Sequence, residues 1–334
     1  MEAVRLHGIG DLRHETVTAP AAPAADEVTL AVSLAGICGS DLHNYRTGAW
    51  ISRAPSVAGH EFTGSVTALG EGVSHVAVGD RVIVDSRWTC GKCRACLNGV
   101  GQVCENLGFL GEVIDGGFAE QVTLPARNAL KAPAGVADRY LAMAEPLAVA
   151  LHALNLMNVP EGAEIVVAGC GPIGGLITLL ATRAGHPVQI LDRNDARTGL
   201  VAEATGAAVT SFEALGGYYY RYAVDTTGSA HVIKGLLSTI AGASRLGLVG
   251  IGSAAEIVDP VHLVEREIAL VGCHAFNDEL AAIGDMLPDL APHLDPFIAE
   301  MISLADVPAT YDRLLTGEGT GIKTLIQIGE SDGR

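Results

Sequence analysis

A glycine-rich turn between two apolar runs constrains the fold of this chain more than any other feature. The segment EIVVAGCGPIGGLITLLATRAG places Gly169, Gly171 and Gly174 in a G-x-G-x-x-G pattern, directly after a valine-rich strand and directly before an apolar helix. Glycines in that context let the backbone approach a pyrophosphate at the N-terminus of the helix. The segment therefore predicts a dinucleotide-binding unit built from alternating strands and helices.

The same segment carries no charge between Glu164 and Arg183, a length that would suit a membrane span. Its glycines and proline favour a buried strand, a tight turn and a buried helix instead. With 21 basic and 38 acidic residues the formal net charge is −17, so nucleic acid and anionic membranes are not expected partners. No basic stretch followed by an apolar run opens the chain, so we expect a cytoplasmic protein.

A second strand, PVQIL, ends at Asp192. A carboxylate at this point can accept hydrogen bonds from the ribose hydroxyls of an adenosine. It would also repel a 2′-phosphate, which favours NAD over NADP. Arg193 follows immediately and could weaken that preference.

Four of the seven cysteines lie close together in CGKCRACLNGVGQVC, as Cys90, Cys93, Cys96 and Cys104. Disulfides are one interpretation, but a long chain without an export signal argues for a reducing compartment. Four thiolates can surround Zn²⁺ tetrahedrally and leave no open position. The spacing therefore predicts a structural zinc site.

Cys38 follows the alternating strand Val28 to Leu34, and His60 lies about twenty residues further on in GHEF. A thiolate and an imidazole are a plausible mixed ligand pair for zinc. Each residue alone could equally be part of the core. Their joint appearance just before the four cysteines favours a second metal site.

These motifs run through nearly the whole chain in the order of one known family. GICGSDLH, GHEF, the four cysteines and DGGFAEQV resemble the zinc-dependent medium-chain alcohol dehydrogenases, and AEPLAVALHA resembles their sorbitol (polyol) dehydrogenase-like branch. The resemblance implies an α/β protein with two domains. A chaperonin-10-like (GroES-like) β-barrel catalytic domain would comprise residues 1–148 and 286–334, and a Rossmann domain with a doubly wound parallel sheet would comprise residues 149–285.

The resemblance also implies two zinc ions per chain, one catalytic and one structural. Cys38 and His60 would be ligands of the catalytic zinc, and either Glu61 or Glu145 would complete the set. Simple alcohol dehydrogenases have a cysteine at the position of Glu145. The absence of that cysteine here favours a polyol-like site. Asp41 matches a residue that steadies the histidine ligand.

Further roles follow from the same resemblance. Ser40 matches a hydroxyl beside the substrate oxygen, His43 matches a relay histidine near the cofactor ribose, and Glu145 stands near the reacting groups. Arg197 matches a residue against the adenine, although it could also be an ordinary exposed helix residue. The implied cofactor contacts are Gly169, Gly171, Pro172, Ile173, Gly174, Asp192, Arg193, Arg197, Val249, Gly250 and Ile251.

The implied activity is reversible hydride transfer from a secondary hydroxyl of a polyol, sugar derivative or diol to NAD, which gives the ketone. Asn44 replaces an aromatic residue of the sorbitol enzymes, and GCHAFND lacks their Arg–aromatic pair, so sorbitol itself is not favoured. Phe109 and His274 are further candidates for lining the substrate pocket.

Two alternatives remain. One is a metal-free NADP-dependent enone or quinone reductase on the same scaffold, and the other is a non-catalytic protein that binds zinc and nucleotide. The family resemblance implies a homodimer or a homotetramer.

Overall fold

The structure, a computed structural model, describes residues 1–217, 219–252, 258–317 and 321–329. The chain divides into two units. The first consists of Met1–Glu145 and most of the chain from Leu280 onward, and the second consists of Pro146–Glu279 with residues 321–322. The corresponding limits predicted from the sequence fall after residues 148 and 285.

The N-terminal part of the first unit is mostly β-structure. Its described strands are β1 (Glu2–Gly8), β2 (Asp11–Thr16), β3 (Glu27–Gly36), β4 (Ser56–Val57), β5 (Glu61–Leu69), β6 (Arg81–Val84), β7 (Arg87–Trp88), β8 (Gly108–Phe109), β9 (Gln121–Pro125) and β10 (Ala129–Lys131). The helices of this part are α1 (Gly39–Thr47), α2 (Arg94–Leu97), α3 (Asp138–Leu141) and α4 (Ala144–Met157), which continues into the second unit.

The second unit alternates strands and helices. Its described strands are β11 (Ile165–Ala168), β12 (Val188–Leu191), β13 (Ala208–Val209), β14 (Tyr222–Asp225), β15 (Arg245–Leu248) and β16 (Ala269–Gly272). Its helices are α5 (Pro172–Arg183), α6 (Asp195–Thr205), α7 (Phe212–Leu215), α8 (Ala230–Thr239) and α9 (Pro260–Arg266). The chain then returns to the first unit through α10 (Glu279–Leu290), β17 (Ile298–Ser303), α11 (Val307–Thr316) and β18 (Lys323–Gln327). Short 3-10 segments lie at Gly101–Val103, Ala126–Asn128, Ala291–His293, Asp295–Phe297 and Leu304–Asp306.

All the strand pairings of the second unit are parallel, in the order β13-β12-β11-β14-β15-β16. The chain starts in the middle of the sheet at β11 and reverses direction there, which is the strand order of a doubly wound dinucleotide-binding fold. The strand, turn and helix predicted around Gly169 are present as β11 and α5. The predicted α/β fold with a parallel sheet is therefore confirmed.

Strand pairing in the first unit positions the metal ligands. The main sheet has the order β10-β6-β5-β3-β18-β17, with β9 also paired to β3. The last residue of β3, Gly36, is opposite Glu61, the first residue of β5, and also opposite Leu325 of β18. Segments from three distant parts of the sequence therefore meet where β3 ends.

The interior of this unit is an apolar cluster to which β1, β3, β5 and β9 contribute, and Val28 and Leu30 at its centre are fully buried. No helix in the described ranges of the chain is long and apolar enough to cross a lipid bilayer.

Candidate active site

Asp41 connects the two residues predicted to bind the catalytic metal. Cys38 lies just before α1, and its backbone N–H donates to Asp41 Oδ2 at 3.0 Å. The other carboxylate oxygen, Oδ1, lies 3.1 Å from His60 Nδ1. A carboxylate on Nδ1 favours the tautomer that leaves the Nε2 lone pair free to bind a metal.

Three different ligand atoms converge beside this aspartate. The ligand atoms of Cys38, His60 and Glu61 all lie within 4.8 Å of one another, and we refer to these three residues as the mixed-ligand site. The Oγ of Ser40 is 3.1 Å from Cys38 Sγ and 3.3 Å from His60 Nε2, so it lies at the ligand atoms themselves. Sulfur, nitrogen and carboxylate oxygen are the atoms that bind zinc, and three protein ligands leave one position open.

Charge in the mixed-ligand site also favours a cation. Burial by itself would lower the pKa of His60, but the nearby Asp41 and Cys38 raise this pKa well above its ordinary value. A histidine that gains a proton so readily lies in a strongly negative environment. The residues present therefore fit a divalent cation such as zinc.

A buried lysine that the sequence analysis missed controls the orientation of Glu61. Lys323 Nζ forms an ion pair with Glu61 Oε2, and the two side chains are 0% and 1% exposed. The same ammonium donates to the carbonyl oxygen of Ile37 at 2.9 Å. Burial alone would lower the pKa of Lys323, but the charge of Glu61 raises it, so the lysine is charged. The only signal in the sequence was a lysine at the start of the short C-terminal strand KTLIQ.

Gly36 makes room for this ion pair. A Cβ atom at Gly36 would lie 2.5 Å from Glu61 Oε2 and 2.8 Å from Lys323 Cε, closer than real Cβ contacts. The glycine at the end of β3 is therefore required for Glu61 and Lys323 to meet.

Glu145 lies outside the mixed-ligand site among the described residues. Its Oε1 accepts a hydrogen bond of 2.9 Å from Ser86 Oγ, and the side chain is buried at the start of α4. Burial raises the pKa of Glu145 to about 7, and the charge of Glu61 adds to this effect. The carboxyl group is therefore partly protonated at neutral pH.

The other predicted residues of this region have different surroundings. His43 is partly exposed on α1, three residues after Ser40, and its ring lies 5.0 Å from that of Trp50. Asn44 is buried and accepts a hydrogen bond of 2.8 Å from the backbone N–H of Trp50, so its side chain is already engaged inside the unit. The ring of Phe109 is 6.3 Å from that of His60. His274 belongs to the second unit.

The four cysteines of residues 90–104, which we call the cysteine lobe, also converge within 4.8 Å, and all of them are free thiols. Cys93 Sγ lies 3.5 Å from Cys96 Sγ and 3.8 Å from Cys104 Sγ. A tetrahedron with zinc–sulfur bonds of about 2.3 Å has edges of about 3.8 Å. Backbone N–H groups of Lys92 and Cys93 lower the pKa of Cys90 to about 6, which favours the thiolate that a metal binds. The lobe therefore fits a closed zinc site.

The glycine turn of the second unit is tightly packed at Gly174 and open at Gly171, where a Cβ would meet no heavy atom within 4 Å. A Cβ at Gly174 would lie 1.8 Å from the carbonyl oxygen of Gly169, so only glycine allows this close approach. Pro172 and Ile173 begin α5 immediately after Gly171. Backbone N–H groups at the start of a helix are suited to bind a pyrophosphate.

Asp192 lies beside this turn at the end of β12. Its Oδ2 accepts a hydrogen bond of 2.6 Å from the N–H of Cys170, and its Oδ1 accepts one of 2.9 Å from the N–H of Asn194. Arg193 is exposed. Arg197 Nε donates to the carbonyl oxygen of Gly321 at 3.1 Å, so part of its guanidinium is already engaged.

The remaining predicted cofactor contacts follow β15. The N–H groups of Val249 and Gly250 donate to the carbonyl oxygen of Asp225 at 2.9 and 3.2 Å, and Ile251 is 56% exposed. The glycine turn, Asp192 and this segment follow the carboxyl ends of three parallel strands, so they share one edge of the sheet. Ligands of doubly wound sheets bind at this edge.

Comparisons with known proteins agree with both units. Residues 24–134 match the alcohol dehydrogenase GroES-like domain. The chain is 32% identical to 2-dehydro-3-deoxy-L-galactonate 5-dehydrogenase from Pseudoalteromonas atlantica, over 92% of this chain and 93% of that one. It is 36% identical to the starvation-sensing protein RspB from Escherichia coli, over 78% of each chain. The structure of 2R,3R-butanediol dehydrogenase from Bacillus subtilis superposes with a TM-score of 0.90 at 27% identity, covering 98% of this chain and 99% of that one.

With the fold described above, these matches define an oxidoreductase with a GroES-like part and a Rossmann part, and the predicted fold class is confirmed in full. The chain belongs to the zinc-dependent medium-chain alcohol dehydrogenase family, as its motifs predicted.

Proposed function

We propose that the protein is an NAD-dependent zinc alcohol dehydrogenase that reversibly oxidises a secondary hydroxyl of a polyol, sugar acid or diol to a ketone. The observation that carries the proposal is the convergence of Cys38, His60 and Glu61 on one point, with Asp41 behind the histidine. Relatives named for a sugar acid and for butanediol support a substrate with several hydroxyl groups.

The third protein ligand of the catalytic zinc is Glu61 rather than Glu145. Glu61 belongs to the mixed-ligand site, whereas the carboxyl group of Glu145 lies outside it and accepts a hydrogen bond from Ser86. Charge balance supports this choice. The anionic groups of Cys38, Asp41 and Glu61 would be neutralised by Lys323 together with one divalent ion, which makes a buried site tolerable.

Bound zinc would supply a Lewis acid that makes a nearby alcohol easier to deprotonate, and bound NAD would supply the hydride acceptor. Ser40 Oγ, which lies at the ligand atoms, accepts the hydroxyl proton of the substrate as it releases its own proton toward His43. His43 follows three residues later on the same face of α1 and passes that proton to solvent.

The preference for NAD rests on Asp192. Each of its carboxylate oxygens accepts one backbone N–H and keeps a lone pair for a ribose hydroxyl, and the charge repels a 2′-phosphate. We expect Asp192→Ala to lower the ratio of kcat/KM for NAD to that for NADP by about tenfold or more, the loss of one charged hydrogen bond. Asp195→Ala, an exposed carboxylate three residues later, should leave the ratio unchanged. An equal ratio in wild type and Asp192→Ala would remove Asp192 from the ribose site.

The activity is tested by measuring NAD reduction with a panel of polyols, sugar acids, cyclitols and diols on protein of known metal content. We expect two zinc ions per chain and turnover with at least one secondary alcohol. Metal-free protein that reduces an enone with NADPH would instead support the reductase alternative. Protein that binds zinc and NAD but oxidises no alcohol would support a non-catalytic role. The cytoplasmic location and the assembly into dimers or tetramers stay predictions.

A further inference from the structure

A small, partly enclosed cavity lies behind the mixed-ligand site, within the first unit. Its lining includes the polar residues Asp41, Asn44, Glu112 and Tyr311 and the apolar residues Leu6 and Leu12. The space open to the centre of a water molecule is about 20 Å³. About 10–15 Å³ measured in this way is enough for one water molecule.

The hydroxyl group of Tyr311 has no hydrogen-bond partner in the part of the chain that the structure describes. Tyr311 is 1% exposed, and its oxygen is buried without a hydrogen-bond partner among the described residues. By contrast, the hydroxyl of Tyr45 donates to Asp312 at 3.0 Å, and that of Tyr220 is bonded to Thr239 at 2.6 Å. A buried hydroxyl left unpaired is costly, so such groups are nearly always bonded to protein or to ordered water.

Acceptors for a water molecule line the same cavity. One carboxylate oxygen of Asp41 contacts His60, and the other accepts a hydrogen bond from the N–H of Cys38. Each oxygen keeps a second lone pair that could accept a hydrogen bond from water. Glu112 is partly buried in the loop after β8, and burial, reinforced by Asp41, raises its pKa to about 7. Burial and the charge of Asp41 raise the pKa of Tyr311 well above its usual value, so this hydroxyl keeps its proton and can donate it in a hydrogen bond.

We propose that this cavity binds one ordered water molecule, held by the Tyr311 hydroxyl and the carboxyl groups of Asp41 and Glu112, and that Tyr311 is thereby a positioning residue for His60. A buried water makes about three hydrogen bonds, which these groups supply. By donating to Asp41 the water restrains the carboxylate that orients the imidazole. The second half of this inference rests on the proposed function, in which His60 binds zinc.

Tyr311→Phe tests the inference because it removes the hydroxyl and keeps the ring. We expect the zinc affinity of the mixed-ligand site, measured by competition with a chelator, to fall about tenfold, the usual effect of losing a group behind a metal ligand. The absorption bands of cobalt bound in that site should shift, while the cysteine lobe keeps its metal. Tyr220→Phe is the matched control, a buried tyrosine of the second unit, and should change neither quantity.

The melting temperature of metal-free protein gives a second measurement. The direction in which Tyr311→Phe changes it shows whether the cavity contains water. If water is bound, Tyr311→Phe removes one of its hydrogen bonds, and the melting temperature falls by about 2 °C. If the cavity is dry, the substitution removes an unpaired buried hydroxyl and the melting temperature rises. A high-resolution crystal structure should show the water within hydrogen-bond distance of Tyr311 Oη.

A rise in melting temperature together with an empty cavity would overturn the water site, and an unchanged zinc affinity and cobalt spectrum would overturn the positioning role. These outcomes are distinct from a failure of the proposed function. If no metal binds at Cys38 and His60, the melting temperature and the crystal structure still decide whether the water is present.

Discussion

The two candidate metal sites of the first unit are built in opposite ways. The cysteine lobe takes four identical ligands from residues 90–104, and three of these cysteines are partly exposed. The mixed-ligand site takes three different ligands from two segments, and His60 and Glu61 are buried. Around the lobe, backbone N–H groups contact the sulfur atoms, whereas charged side chains contact the ligands of the mixed site.

This difference indicates what each site is suited for. Four thiolates fill every position around a zinc ion, so the lobe can only hold its loop together. With three protein ligands the mixed-ligand site would leave one position open on a zinc ion, and one of the groups that orient its ligands, Lys323, comes from the distant strand β18. A structural metal site can be built from one short segment of the chain. An open site has fewer protein ligands, so residues from distant parts of the fold are needed to hold those ligands in position.

The largest expected effect distinguishes the two sites directly. Cys38→Ser should abolish NAD reduction, because it removes a ligand of the open site, and should leave one zinc ion per chain in the lobe. Cys104→Ser should release the other ion and lower the melting temperature, while the remaining folded protein keeps measurable activity. Zinc content and NAD reduction, measured on the same samples, check both expectations.

Loss of both ions from Cys38→Ser would contradict the separation into two independent sites. Full activity of the same variant would show that Cys38 is not a ligand during turnover.

A smaller effect is expected from removing the positive charge of Lys323, which lies behind the mixed-ligand site. Lys323→Met leaves the buried carboxylate of Glu61 without its partner, so the free energy of unfolding of metal-free protein should fall by about 3 kcal/mol or more. Zinc would neutralise that carboxylate, so the loss should be smaller in zinc-loaded protein. Lys131→Met, which removes an ion pair with Asp80 from a lysine that is 63% exposed, is the control and should have little effect in either state.

Denaturant unfolding with and without zinc measures both differences. A metal-free Lys323→Met protein as stable as wild type would contradict the stabilising role of the Lys323–Glu61 ion pair.

What the sequence could predict follows the same division between local and distant contacts. The cysteine lobe and the glycine turn were predicted from spacing alone, since all their residues fall within one short segment. The parallel sheet formed by β11–β16 was implied by the family resemblance, and the alternation of strands and helices agreed with it. Cys38 and His60 were recognisable as a pair only together with the motifs around them.

The rest depends on residues that are far apart in the chain. Whether Glu61 or Glu145 joins the ligand set depends on the partners Lys323 and Ser86, and the lysine comes from a strand that joins the sheet only at the end of the chain. The Tyr311 hydroxyl reaches the same region from α11. No spacing rule reveals such contacts, because strand register and helix packing create them.

The smallest expected effect comes from one methyl group at each site. Gly36→Ala places a Cβ 2.5 Å from Glu61 Oε2, so the carboxylate or Lys323 must move. We expect kcat/KM to fall about tenfold, since a shift well below 1 Å separates productive from unproductive geometry. Gly101→Ala in the lobe, where the new Cβ would lie 3.5 Å from Thr89 Cγ2, should leave activity and zinc content unchanged. If the two substitutions had equal effects, the mixed-ligand site would be no more sensitive to its surroundings than the lobe.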